Sequence, residues 1–239
     1  MFSVHKLKNI RGKRVLVRVD FNAPVERGQV ADDTKIAAAV PTIAWLTGKG
    51  AKVVLMTHLG RPVPSRHPER AKRSEGSRTN VRPAVAGRDS SAFGLRMTAE
   101  RLGELLKKKV QMVEQWDFTK ITKAIQAMKS GGVLMLPNLR LHSGEEKNDK
   151  KFSEELAQLG SFYVNEAFGV DHRAHASLVG VPRLLPSYAG LQLMKEMEVL
   201  NKVVHKSKQP LVVLMGGGKI TDKIAMMATV LKKADIVLL

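Results

Sequence analysis

Arginine, histidine, aspartate and asparagine recur where four apolar runs of this chain end. Asp20 and Asn22 follow the first, His58, Gly60 and Arg61 the second, Arg140 and His142 the third, and His172, Arg173 and His175 the fourth. A guanidinium offers a planar fork of donors and never loses its charge, and an imidazole can add further N–H groups, so these types together suit a doubly charged phosphate. A single such residue in a loop is more often solvated than functional, and Asp20 or Asn22 alone would serve a turn. Repetition at successive run ends makes anion binding the reading for Arg61, Arg140 and Arg173, and leaves His142 and His175 nearer to structural roles. No His-Glu-x-x-His helix and no carboxylate-paired histidine spacing supports a metal site.

A further phosphate signal stands in LVVLMGGGKITDK, residues 211–223. A nucleotide-binding P-loop would place glycine at Val213 and a hydroxyl at Ile220, so the pattern fails twice. What remains is an apolar run, three glycines that let backbone N–H groups approach an anion, and Lys219 near the start of a helix-like stretch.

These residues need a frame. Apolar, β-branched runs at residues 15–22, 51–58, 110–113, 132–138 and 161–168 predict strands, and most are apolar on both faces, as in a parallel sheet covered by helices. Phe118, Ile121, Ile125 and Met128 recur at three and four residues, as do Leu102, Leu105 and Leu106 in a shorter stripe, which predicts helices between strands. The alternation predicts an α/β fold, a Rossmann-like parallel sheet with helices on both faces in three layers, with right-handed crossovers. In such sheets ligands collect at the carboxyl ends of strands, where the arginines stand. A long helix carrying Leu193, Met197, Leu200 and Val204 on one face follows. The pattern then restarts with a strand at 210–215, a helix through Ile224, Met227 and Leu231, and a strand at 234–239. Two strands and one helix cannot bury their own apolar faces, so this is the expected first βαβ of a second α/β domain whose remainder is missing.

A chain of 239 residues can bury about 70% of the surface its unfolded form exposes, enough for one large domain and part of another. The absence of cysteine excludes disulfides and thiolate-bound zinc. The start, MFSVHKLKNIRGKR, lacks the apolar stretch of a signal peptide, and no run approaches the roughly 18 apolar residues of a membrane span. A soluble cytoplasmic protein without a membrane partner is the expectation. The balance of 40 Lys and Arg against 22 Asp and Glu, a net +18, favours anionic partners. Between residues 61 and 96 lie nine basic residues and three acidic ones with few large apolar side chains, so a mobile basic loop is expected there. With only 5% aromatic residues and no nucleic-acid-binding motif, a small phosphorylated substrate is favoured over nucleic acid.

Taken in order, RVDFNAPV, THLGRP, NLRLH, NEAFGVDHRAHASLVG and GGGKITDKI resemble the serial motifs of phosphoglycerate kinases. The resemblance implies reversible phosphoryl transfer between 1,3-bisphosphoglycerate and ADP, giving 3-phosphoglycerate and ATP. Asp20 and Asn22 match positions that hold the glycerate, while His58, Arg61, Arg140 and Arg173 match the basic patch around the 3-phosphate. Lys35 stands where the family usually has an arginine reaching both the carboxylate and the transferring group, which implies slower turnover because lysine lacks the fork. Lys219 matches the lysine that follows the migrating phosphoryl group, so Lys35, Lys219 and Arg173 form the implied catalytic set, and Gly217, Gly218 and Lys223 fall at nucleotide contacts. Pro137, Leu141, Glu166 and Gly218 replace the family's usual Glu, Phe, Asp and Ala.

The implied division is a 3-phosphoglycerate-binding α/β domain over 1–188 with a disordered basic insertion at 63–92, an interdomain helix over 189–206, and an incomplete start of the nucleotide domain over 207–239. ATP or ADP would bring its own Mg2+, with no metal ligand from the protein, and the complete enzyme would be a monomer. Since the family's second glycine-rich loop and most of its adenosine pocket would lie beyond Leu239, the expectation is a fragment or truncated form. Half of a split enzyme, or an inactive paralogue that only binds phosphorylated substrates, stays open beside it.

Overall fold

The computed structural model describes residues 2–60, 90–206, 208–214 and 233–238. By its contacts the chain divides into two compact units, Met1–Leu193 and Met194–Leu239.

The first unit is built on a parallel sheet. Its strands are β1 (Phe2–Ser3), β2 (Arg14–Val19), β5 (Lys52–Met56), β6 (Val110–Met112), β7 (Val133–Met135), β8 (Phe162–Glu166) and β9 (Ser187–Ala189), with the short hairpin β3 (Val25–Glu26) and β4 (Gln29–Val30) set apart from it. The spatial order is β1-β9-β8-β2-β5-β7-β6. Every pairing in this sheet is parallel, with Val17 of β2 opposite Leu55 on one side and Val164 on the other. The chain leaves β2 toward β5 and leaves β8 toward β9, in opposite directions across the sheet. That reversal opens a crevice at the carboxyl ends of β2 and β8, the place where an open sheet can receive a ligand.

Helices cover both faces because the strands are apolar on both. On one face, Val15, Val17 and Val19 of β2 pack with Ile36, Ile43 and Leu46 of α1 (Thr34–Gly48) and with Leu95 and Leu102 of α2 (Ser90–Leu106). On the other, Leu16, Val54 and Leu134 pack with Ile121 and Ile125 of α3 (Phe118–Ala127), Phe152 and Leu156 of α4 (Lys150–Gln158), and Val181 of α5 (Val181–Leu184). Asp117 and Asp149 start α3 and α4 by accepting the N–H groups of Lys120 and Phe152 at 3.0 and 2.8 Å. The three-layer α/β expectation holds.

Several elements escape the sequence pattern. Helix α1 carries Pro41 in its middle, which interrupts the helical signal, yet its inner side is wholly buried. Strands β1 and β9 have two and three residues, too few for a period to register. Ser90 to Ala92, within the expected basic insertion, belong to α2, whereas the rest of that expectation, residues 63–89, lies outside the described residues.

Helix α6 (Leu191–Lys206) crosses the division between the units. Of its expected apolar face, Leu193 is buried, whereas Met197 and Leu200 are exposed. In the second unit, β10 (Val212–Leu214) and β11 (Ile236–Leu238) pair in parallel, Val213 opposite Val237. The expected helix through Ile224, Met227 and Leu231, and the loop with Gly217, Gly218, Lys219 and Lys223, lie outside the described residues.

Candidate functional site

The carboxyl end of β2 turns immediately after Val19. Asp20 accepts the backbone N–H of Asn22 at 3.4 Å, and Phe21 N–H donates to Thr57 Oγ1 at 3.1 Å, which ties this turn to the end of β5. Asn22 Oδ1 then accepts Gly60 N–H at 2.9 Å, while Gly60 O accepts Arg140 Nη1–H at 2.8 Å. Gly60 has φ +59, a conformation costly for any side chain, so this bridging position favours glycine. Asn138, at the end of β7, donates to Leu59 O at 2.8 Å and accepts Arg140 N–H at 3.1 Å. Three strand ends are thereby laced together by main-chain and amide hydrogen bonds.

The charges follow this frame. Lys35, in the first turn of α1, reaches Asp20 Oδ2 with Nζ at 2.8 Å, the carboxylate 12% exposed and the lysine 53%. Burial alone would raise the Asp20 pKa, but the Lys35 hydrogen bond and charge, with the Asn22 N–H, outweigh it and hold the carboxyl below its usual value. Arg140 is nearly enclosed, its Nε 3.4 Å from Glu146 Oε1. Arg173, in the turn after β8, is half-buried, and its Nε is enclosed with no hydrogen-bond partner.

His58 is 3% exposed and pushed down to about 3 by burial first, then by Arg18 and Arg140, with Asp20 opposing and Arg173 adding to the fall. Arg18 Nη2 lies 3.3 Å from the imidazole Nδ1, and Asp20, Arg140 and Arg173 are near enough for their charges to act on it. Asp20, Asn22, Lys35, His58, Arg140 and Arg173 are thus brought together at the strand ends. Arg61, Gly217, Gly218, Lys219 and Lys223 lie outside the described residues.

Of the histidines read as structural, His142 stacks on Phe152 at 3.8 Å between ring centres and accepts Gly144 N–H. His175 lies 3.8 Å from Glu145, with burial lowering its pKa against the pull of that carboxylate. Glu166 serves α6: its carboxylate accepts the hydroxyl of Thr42 and the N–H groups of Gln192 and Leu193 at 3.1 and 3.2 Å.

The sequence reading missed Arg18, Ser177 and Glu145, a buried chain of hydrogen bonds whose Arg18 end meets His58. The signal was present in Arg18, a charge inside a strand otherwise apolar on both faces. Glu145 and Ser177 carry no such mark.

A cavity of about 650 Å3 between the β3–β4 hairpin and α2 is lined by Asp32, Asp33, Glu100, Arg101 and Glu104 and includes none of the strand-end arginines. Among the described residues no group of three or more His, Asp or Glu side chains is placed to hold a metal ion. The strand-end cluster is made chiefly of N–H donors, which fit an anion and not a cation.

The sequence matches the phosphoglycerate kinase family profile over residues 4–239. The chain belongs to the phosphoglycerate kinase family. It is 42% identical to the phosphoglycerate kinase of Fervidobacterium nodosum over 231 residues, 97% of this chain and 52% of that protein. With that of Gloeobacter violaceus it shares 43% over 235 residues, 97% of this chain and 51% of the relative. The crystal structure of the Pyrococcus horikoshii phosphoglycerate kinase superposes with a TM-score of 0.80 at 31% identity, covering 99% of this chain and 54% of the other. The chain therefore spans about half the length of the curated phosphoglycerate kinases it matches.

Proposed function

We propose that the strand-end cluster binds 3-phosphoglycerate and that the chain supplies the acid-binding part of a phosphoglycerate kinase acting in glycolysis. The observation that carries this is the convergence of Asp20, Arg18, Arg140 and Arg173 on His58 at the crevice between β2 and β8. In this reading Arg61, Arg140 and Arg173 neutralise the 3-phosphate, His58 adds to that patch, Asn22 supports it, and ionised Asp20 accepts a glycerate hydroxyl. Lys35, Arg173 and Lys219 neutralise the charge of the phosphoryl group in transit. Gly217, Gly218, Lys219 and Lys223 contact the nucleotide, and Mg2+ arrives with ATP or ADP. The acceptor carboxylate carries no proton at neutral pH, so positioning and charge neutralisation suffice without a general base.

Residues 1–188 are the acid-binding domain in this proposal, 189–206 the interdomain helix and 207–239 the start of the nucleotide domain. A cytoplasmic monomer fits it, and among the described residues no helix is long and apolar enough to cross a membrane. Titration calorimetry tests the proposal. The 239-residue chain binds 3-phosphoglycerate, and Arg140→Met weakens binding about ten- to hundredfold, the worth of a hydrogen bond to a charged group. Absence of binding by the folded wild-type chain sinks it.

A further inference from the structure

Arg18 is the one charged residue of β2 that is fully buried, 1% exposed, and each of its guanidinium nitrogens has a partner. Nε donates to Ser177 Oγ at 2.9 Å, Nη1 to Val19 O at 2.5 Å, and Nη2 lies 3.3 Å from His58 Nδ1. Ser177 is held in turn: its hydroxyl donates to Glu145 Oε1 at 2.6 Å and its backbone N–H to Oε2 at 3.1 Å. A hydroxyl has one proton, so giving it to Glu145 leaves the oxygen facing Arg18 as an acceptor. With two corners of a planar group fixed by Ser177 and Val19, the third is aimed at His58. Arginine can only donate, so Nδ1 of His58 must accept and carries no proton. An imidazole in that state is neutral and keeps its single proton on Nε2.

We propose that Arg18 is a positioning residue that holds His58 in the Nε2–H tautomer, making it a neutral N–H donor in the strand-end cluster and not a further cation. Its consequence for phosphate rests on the function proposed above; the tautomer does not. The groups facing His58 are Arg18 and Asp20 from β2 and the turn after it, Arg140 after β7 and Arg173 after β8. Those facing Arg18 are Glu145, Tyr163, Asp20 and Asp171. Burial and three arginines oppose the imidazolium against Asp20 alone, which agrees with the geometry. Anion recognition by this cluster is then insensitive to histidine titration near neutrality.

Nitrogen-15 NMR of the histidine rings in the full chain without ligand tests the tautomer directly. From about pH 6 to about pH 8, His58 Nδ1 gives an unprotonated signal and Nε2 a protonated one in the wild type. In Arg18→Met, which removes both the donor and the charge, and more weakly in Ser177→Ala, the Nδ1–H tautomer appears and a titration midpoint enters that range. Wild-type His58 with a proton on Nδ1 overturns the proposal, whether or not any variant folds, and so does a folded Arg18→Met variant with an unchanged tautomer.

Inorganic sulfate, whose charge is constant over this range, is the binding probe. Wild-type affinity for sulfate stays flat from about pH 8 to about pH 6 and rises about tenfold in Arg18→Met as an added charge forms. A tenfold rise in the wild type counts against the proposal. If neither sulfate nor 3-phosphoglycerate binds while the NMR shows the Nε2–H tautomer, the proposed function falls and the role of Arg18 stands.

Discussion

Histidine in this site behaves contrary to its usual use as a cation near neutral pH. The folded chain keeps His58 neutral down to about 3, whereas an unfolded histidine takes up a proton near 6.5. The unfolded state therefore binds more protons between those values. The stability contributed by neutral His58 is full above about pH 6.5 and is lost as pH falls, at most at about 1.4 kcal/mol per pH unit. Asp20, held below its usual value, has the same sign but acts at lower pH, as its carboxylate protonates. Denaturant unfolding at about pH 7 and about pH 5 checks this: wild type loses stability with acid, and His58→Gln removes most of that slope. An unchanged slope in the variant would assign the acid sensitivity elsewhere.

At the scale of elements, α6 starts on a carboxylate borrowed from β8. Glu166 satisfies the N–H groups of Gln192 and Leu193, and Thr42 of α1 donates to Glu166 while accepting the N–H of Leu191 at 2.8 Å. Three elements thus meet at a helix N-terminus, where negative charge is favoured by the macrodipole. Gly190 leaves the room for it, since a Cβ there would sit 1.9 Å from Glu166 Oε2. Gly190→Ala can be accommodated only by moving the carboxylate off the helix. Both Gly190→Ala and Glu166→Gln are expected to cost about 1–2 kcal/mol in denaturant unfolding. A neutral Gly190→Ala would show that the cap adapts without loss.

For the whole molecule, the two units differ in how they protect their sheets. Strands β2, β5 and β8 are buried between two helical layers, whereas Val212, Leu214, Ile236 and Leu238 of the β10–β11 pair are 49–79% exposed. A two-stranded sheet with exposed apolar side chains is marginal in water. Hydrogen exchange is expected to label the amides of 212–214 and 236–238 well before those of β2 and β5, and equal protection would show that this pair is as stable as the large sheet. The net charge of +18 acts at the same scale, drawing anions of any kind toward the chain.

Much was legible in the residues themselves. Apolar runs and helical periods carried the strand and helix order of the α/β fold, because burial on both faces leaves a local pattern. Asp20, Asn22, His58, Arg140 and Arg173 stood out because residues at strand ends are local in sequence too. Helix α1 was hidden by Pro41, and β1 and β9 by their brevity. What only the tertiary structure decided is the state of those groups. Arg18 meets Ser177 across 159 residues and His58 across 40, and no periodicity records such a contact. Sequence determined which charges gather at the edge of the sheet; the packing around them decided that His58 is neutral, Asp20 ionised and Glu166 committed to α6, because desolvation and hydrogen bonding exist only once distant segments have closed on one another.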